Sequence, residues 1–113
     1  MTDGVSSATR NARSMPDTDL GRLLREQRQA IVDLAARRGA TNVRVFGSVA
    51  RGTDDPSSDV DLLVDLDVGV GLLSVLGLER ELGDLLGRKV DVVPTVGLKP
   101  AVAEAVAVEA IRL

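Results

Sequence analysis

The chain has no cysteine, no histidine, no tryptophan and no tyrosine, and Phe46 is its one aromatic residue. Without Cys or His, the usual zinc sites, thiol nucleophiles, disulfides and imidazole acid–base chemistry are excluded. With a single aromatic, the core has to be built from Val, Leu, Ala and Ile, which pack well but offer few rigid anchors. No apolar run approaches the ~20 residues that span a bilayer, so the expectation is a soluble, cytoplasmic protein with no membrane partner. Net positive charge is also absent. A net charge of −3 and a pI near 4.9 argue against a basic nucleic-acid footprint, and no direct nucleic-acid contact is expected.

What remains is oxygen chemistry. The 113 residues include 12 Asp against 5 Glu, and hard cations such as magnesium prefer oxygen ligands. The length suits one domain with a single core. Residues 1–16 are small, polar and without periodicity, and read as a disordered tail ending at Pro16. Arg and Ser there resemble a transit peptide only weakly, given Asp3 and the short length. The folded domain is expected over 17–113.

From Thr18 the pattern is helical. Leu20, Leu24, Gln27, Ile31 and Leu34 recur at spacings of three and four, Asp17 or Thr18 can cap the start, and Gly39 stops the run. One helix is therefore predicted over about 18–38. "NVRVF" (42–46) alternates and is β-branched, as a strand should be. Gly47-Ser48 ends it, "SVARG" gives a short helical segment, and "TDDPSS" is a loop by local rules. "DVDLLVDL" (59–66) is a second strand whose even positions are all apolar. A helix over 72–86 ends at Gly87, "KVDVV" (89–93) is a third strand, and "PAVAEAVAVEAIRL" reads as a last helix, apolar nearly all round. The fold class is α/β (α+β), a small mixed sheet of about three strands flanked by helices.

Asp59 and Asp61 are two apart on a strand, so their side chains leave one face ~6.6 Å apart. That spacing suits carboxylates converging on two divalent cations ~3.5–4 Å apart. Asp91, on another strand of the same sheet, can bring a third carboxylate to that face. Gly47-Ser48 sits where a strand gives way to a helix, where close backbone approach and free amides favour an anion. Each feature has an ordinary explanation. A lone Asp-x-Asp is usually a solvated strand face, and Gly-Ser before a helix is usually a cap. Arg51 can steady a phosphate or pair with Asp54 or Asp55, and Asp65 and Asp67 read as strand-end solvation. Two other motifs fail. Thr53-Asp54 stands where a P-loop needs Lys-Ser/Thr, and "DDPSSDVD" lacks the Gly and distal Glu of an EF-hand loop.

The conjunction is more specific than its parts. "GSVARGTDDPSSDVDLLV" resembles the signature of the DNA-polymerase-beta-like nucleotidyltransferases, specifically their minimal members, and the resemblance runs from about Val43 to Pro94. It implies that Gly47 and Ser48 hold nucleotide phosphates, with Arg51 a further nucleotide-binding candidate from its own position, and that Asp59, Asp61 and Asp91 bind two Mg2+ ions. Asp91 would also help to deprotonate the acceptor hydroxyl. Members of this size are similar to antitoxins that silence HEPN-domain RNase toxins by transferring AMP from ATP to a toxin tyrosine. The resemblance thus implies a hetero-oligomer with such a toxin. A non-catalytic module that neutralises a partner by masking it is the alternative; antibiotic modification fits less well, because the chain is short for a small-molecule pocket of its own.

Overall fold

Strand β1 (Ala40–Phe46) and strand β2 (Val60–Leu66) form the centre of the sheet. Val45, Val60, Leu62 and Val64 are fully buried there, so removal of apolar surface from water drives the pairing. The computed structural model describes residues 14–113. Helices α1 (Asp19–Glu26) and α2 (Arg28–Arg37) precede β1, and α3 (Gly47–Arg51) follows it. Helix α4 (Leu72–Leu86) links β2 to β3 (Val90–Pro94), the crossover that parallel strands require. A 3₁₀ turn (Thr95–Gly97), α5 (Pro100–Glu109) and β4 (Ile111–Arg112) complete the chain. The sheet order is β3-β2-β1-β4, with β1 antiparallel to both neighbours and β2 parallel to β3.

The mixed α/β architecture is as expected, but three elements differ from the sequence reading. The first helix is two. Thr18 caps it, accepting from the Gly21 amide at 3.1 Å, but Gln27 leaves helical geometry at φ −97°, ψ 10° and separates α1 from α2. The buried stripe continues across that break through Leu20, Leu24, Ile31 and Ala35, which is why periodicity alone could not reveal it. The sheet has four strands rather than about three. The last segment stops being a helix at Glu109, and Ile111 and Arg112 pair with Val45 and Arg44. The outer edge of β1 needs partners for its backbone groups, and the chain end supplies them, with the Leu113 amide donating to the Val43 carbonyl at 3.0 Å. Ile111 is thereby buried, whereas no residue of α5 is.

The expected tail lies outside the described residues as far as residue 13; of the three that remain, Met15 is buried against the core. Strand β1 carries a bulge between Thr41 and Arg44, where its pairing with β2 shifts register. Asn42 takes the left-handed conformation there (φ 52°), which Asn tolerates better than branched residues. Its side-chain amide donates to Asp65 at 3.0 Å. Asp65 also accepts from Arg44 at 2.9 Å and from the Thr95 hydroxyl at 3.0 Å. It therefore ties the bulge to the turn after β3, where the sequence suggested only solvation. Those hydrogen bonds, Asn42's first, hold its carboxyl below the usual carboxylate range.

The chain end gives a direct check on the fourth strand. Ile111→Ala should cost about 2–4 kcal/mol through loss of core packing, and Val108→Ala, on the exposed side of α5, should stay within about 0.5 kcal/mol. Urea unfolding of both variants measures the difference; similar midpoints would mean that Ile111 is not in the core.

Candidate active site

The end of β1 positions the site. Phe46, its last residue, pairs with Asp61 on β2, and Asp61 pairs with Asp91 on β3. One row across three strands thus places two carboxylates abreast, and the chain leaves β1 directly beside them. The turn out of β1 is tight. Gly47 has φ +76°, and a Cβ on it would run into the Asp61 carboxylate. Glycine is needed here both for the left-handed backbone and for the close approach. Ser48 follows on the same turn, and its hydroxyl makes no hydrogen bond among the described residues. The short helix α3 closes at Gly52, and the Thr53 amide donates back to the Ser48 carbonyl at 2.9 Å.

The loop between the two halves is held by its own side chains. Asp55 accepts from the Ser57 amide at 2.8 Å and the Ser57 hydroxyl at 2.7 Å, and its own amide donates to the Ser58 hydroxyl at 2.8 Å. The Ser57 hydroxyl and amide lower its pKa. Asp55 is therefore a loop-fastening residue. Asp54 is different: its Oδ1 is buried with no hydrogen-bond partner among the described residues. It lines a cleft with Thr18, Leu20, Pro56 and Arg88 that contains none of the six expected site residues.

Asp61 is the strained member of the acidic row. Burial raises its pKa above the ordinary 3.8, and Asp91 and Asp59 raise it further, with only Arg51 opposing. Asp59 stands one residue before β2 with its side chain 45% exposed, 3.9 Å from the Lys89 ammonium. The structure thus brings Asp61 and Asp91 together and leaves Asp59 at the rim. Among the described residues no three acidic side chains are gathered closely enough to hold one ion as they stand. The donor set nonetheless fits a hard cation: two carboxylates abreast, one destabilised as an anion, and a third two residues earlier in the chain.

Two contacts at the site were not anticipated. The Glu79 carboxylate, on α4, accepts from the Val92 amide at 2.8 Å, next to Asp91 on the open edge of β3. Glu109 accepts from the Gly47 amide at 2.8 Å and pairs with Arg51 at 3.0 Å. Arg51 was expected to bind a phosphate or to pair with Asp54 or Asp55; its salt bridge is with Glu109. Glu79 shares a helical stripe with Val75 and Leu82, which masked it as a polar contact in the sequence. Glu109 and Gly47 are 62 residues apart, and no local pattern signals that pairing.

Comparison with known proteins gives relatives of the chain. The model of the nucleotidyltransferase domain family matches residues 24–113. The protein adenylyltransferase MntA of Thermococcus cleftensis is 42% identical over 74 residues, covering 66% of this chain and 75% of that protein. A solved structure described as a minimal nucleotidyltransferase superposes with a TM-score of 0.77 at 48% identity, covering 86% of this chain and 98% of the other. A toxin–antitoxin structure with AMP-PNP shares the fold, with a TM-score of 0.66 at 21% identity, over 74% of this chain and 69% of the other.

The Asp61 environment makes a pH prediction. Its folded pKa lies above the unfolded value, so ionisation weakens the fold. The penalty is absent below about pH 4 and grows as the pH rises through the folded pKa. In chelator, Asp61→Asn should therefore melt a few degrees above the parent at pH 7, and this gain should vanish by about pH 3. Calorimetry at the two pH values tests it; an equal gain at both would assign the effect to packing.

Proposed function

The chain belongs to the nucleotidyltransferase family, and from that premise we propose that it transfers AMP from ATP to a hydroxyl of a partner protein. In this reading it is the antitoxin of a pair, the partner is a HEPN-type RNase toxin, and the acceptor is a toxin tyrosine. The observation that carries the reading is the row in which Asp61 and Asp91 lie abreast beneath the Gly47 turn. Acidic ligands and an anion-binding turn are then within reach of one substrate. The relatives support the choice of group and acceptor, since one is named a protein adenylyltransferase. The likeness to a toxin–antitoxin structure supports the pairing.

The residues have distinct work in this scheme. Ser48, with a hydroxyl free of other partners among the described residues, donates to a phosphate oxygen, and Arg51 offers charge to the same group. Asp59, Asp61 and Asp91 would hold Mg2+, two ions in the expected arrangement. Bound there, magnesium offsets phosphate charge and relieves the repulsion among the carboxylates. Asp91 accepts the proton of the acceptor hydroxyl as its oxygen bonds to the α-phosphorus, and the bond to the pyrophosphate oxygen breaks. The acceptor protein completes the site from outside.

An exposed apolar surface gives that protein somewhere to sit. Val102 and Val108 on α5 are 46% and 81% exposed, no residue of that helix is buried, and it ends at Glu109 beside the Gly47 turn. Such surface is a recognised mark of an interaction site. It also favours a second mode, neutralisation by masking, which needs no chemistry.

Substitution of the acids separates the modes. Asp61→Asn and Asp59→Asn should each abolish transfer of label from ATP, while pull-down of the partner stays at the parental level. Unchanged transfer in both variants would overturn the metal assignment. Magnesium with ATP at about a hundred times its Kd should raise the parental Tm by roughly 5 °C or more, because only the folded state binds it. Differential scanning fluorimetry reads this, and the same shift in Asp61→Asn would contradict the assignment.

A further inference from the structure

Glu109 is the last residue of α5, and it joins the two ends of α3. One carboxylate oxygen accepts the Gly47 amide at 2.8 Å and the other pairs with the Arg51 guanidinium at 3.0 Å. Between Pro100 and Ala110 the only charged residues are Glu104 and Glu109. Glu104 is exposed, whereas the Glu109 side chain is 28% exposed and turned onto the nucleotide turn. Two residues further on, Ile111 is buried and paired with β1. The carboxylate is therefore anchored by the strand that follows it and is not carried on a free end.

This geometry redistributes the work at the turn. Gly47 has one N–H, and Glu109 uses it, so in this arrangement that amide does not face a phosphate. Arg51 has five donors and Glu109 engages one of its nitrogens, leaving others for an anion while the group is held in place. Ser48 lies between the two anchored residues.

We propose that Glu109 is a positioning residue for nucleotide binding: it fixes the Gly47-Ser48 turn and aims Arg51, making the α5–β4 segment part of the nucleotide site. The proposal rests on the reading of Ser48 and Arg51 as phosphate ligands. It assigns Gly47 a structural task, receiving Glu109 through its amide and Asp61 against its Cα. It also gives the C-terminal segment a role beyond covering the sheet edge.

The test measures binding of a fluorescent ATP analogue with magnesium to the full chain and its variants. Glu109→Ala should weaken binding about tenfold, as expected for loss of a charged hydrogen-bonding group. Glu109→Gln, whose amide oxygen can still accept from Gly47 but whose NH2 cannot accept from Arg51, should recover only part of that loss. If Glu109 acts through Arg51, its removal in an Arg51→Ala background should cost less than about threefold, because coupled residues are not additive. Unchanged binding in Glu109→Ala would overturn the proposal, and so would the full tenfold loss in both backgrounds. Tighter binding would overturn it in favour of a carboxylate that competes with phosphate. Absence of binding by the parent would overturn the nucleotide reading itself. Hydrogen exchange at the Gly47 amide, expected to quicken in Glu109→Ala, reports the bridge independently of any nucleotide.

Discussion

Two carboxylates side by side on adjacent strands are the constraint to which the rest of this molecule responds. Asp61 and Asp91 share a register position in a parallel pair, and Asp61 is partly buried as well, so its ionised form is disfavoured by burial and by two neighbouring acids. A chain selected only for stability would place apolar or polar-neutral residues there. The acids stand there at a cost to the fold, and under the proposed function that cost is what a bound cation would offset. The parallel pairing is itself essential. It needs the α4 crossover between β2 and β3, and Glu79 on that helix fastens the open edge of β3 one residue from Asp91.

The turn proposed to bind phosphate is held differently. Gly47 lies between Asp61, which leaves no room for a side chain, and Glu109, which takes its amide. The turn is therefore specified from both the sheet and the C-terminal segment. Ser48 and Arg51 inherit their positions from it. A five-residue helix such as α3 could not fix such a geometry by its own hydrogen bonds, since so short a helix is marginal without tertiary contacts.

Much of this was legible in the residues, for reasons that are local. Val60, Leu62 and Val64 alternate on β2, and the 72–86 helix ends at a left-handed Gly87, as its position suggested. The row of Asp61 and Asp91 followed from putting both strands in one sheet. What escaped was long-range or one residue wide. The break at Gln27 leaves the apolar stripe intact. Strand β4 is two residues long, and its pairing with β1 is decided by an edge that only the folded sheet presents. Asp65 looked like solvation because Asn42, Arg44 and Thr95 are brought to it by a bulge and a turn. Glu109 sits at the end of an apolar helix, far along the chain from both its partners.

If the acidic row does chemistry on a partner and is not merely a decorated strand, the partner must carry the product. The most direct measurement is the intact mass of the protein encoded in the neighbouring reading frame after incubation with this chain, ATP and magnesium. The partner should gain the mass of AMP on a tyrosine, located by fragmentation, and no gain should occur with magnesium chelated. A partner that binds this chain tightly yet keeps its original mass under those conditions would contradict the proposed transfer.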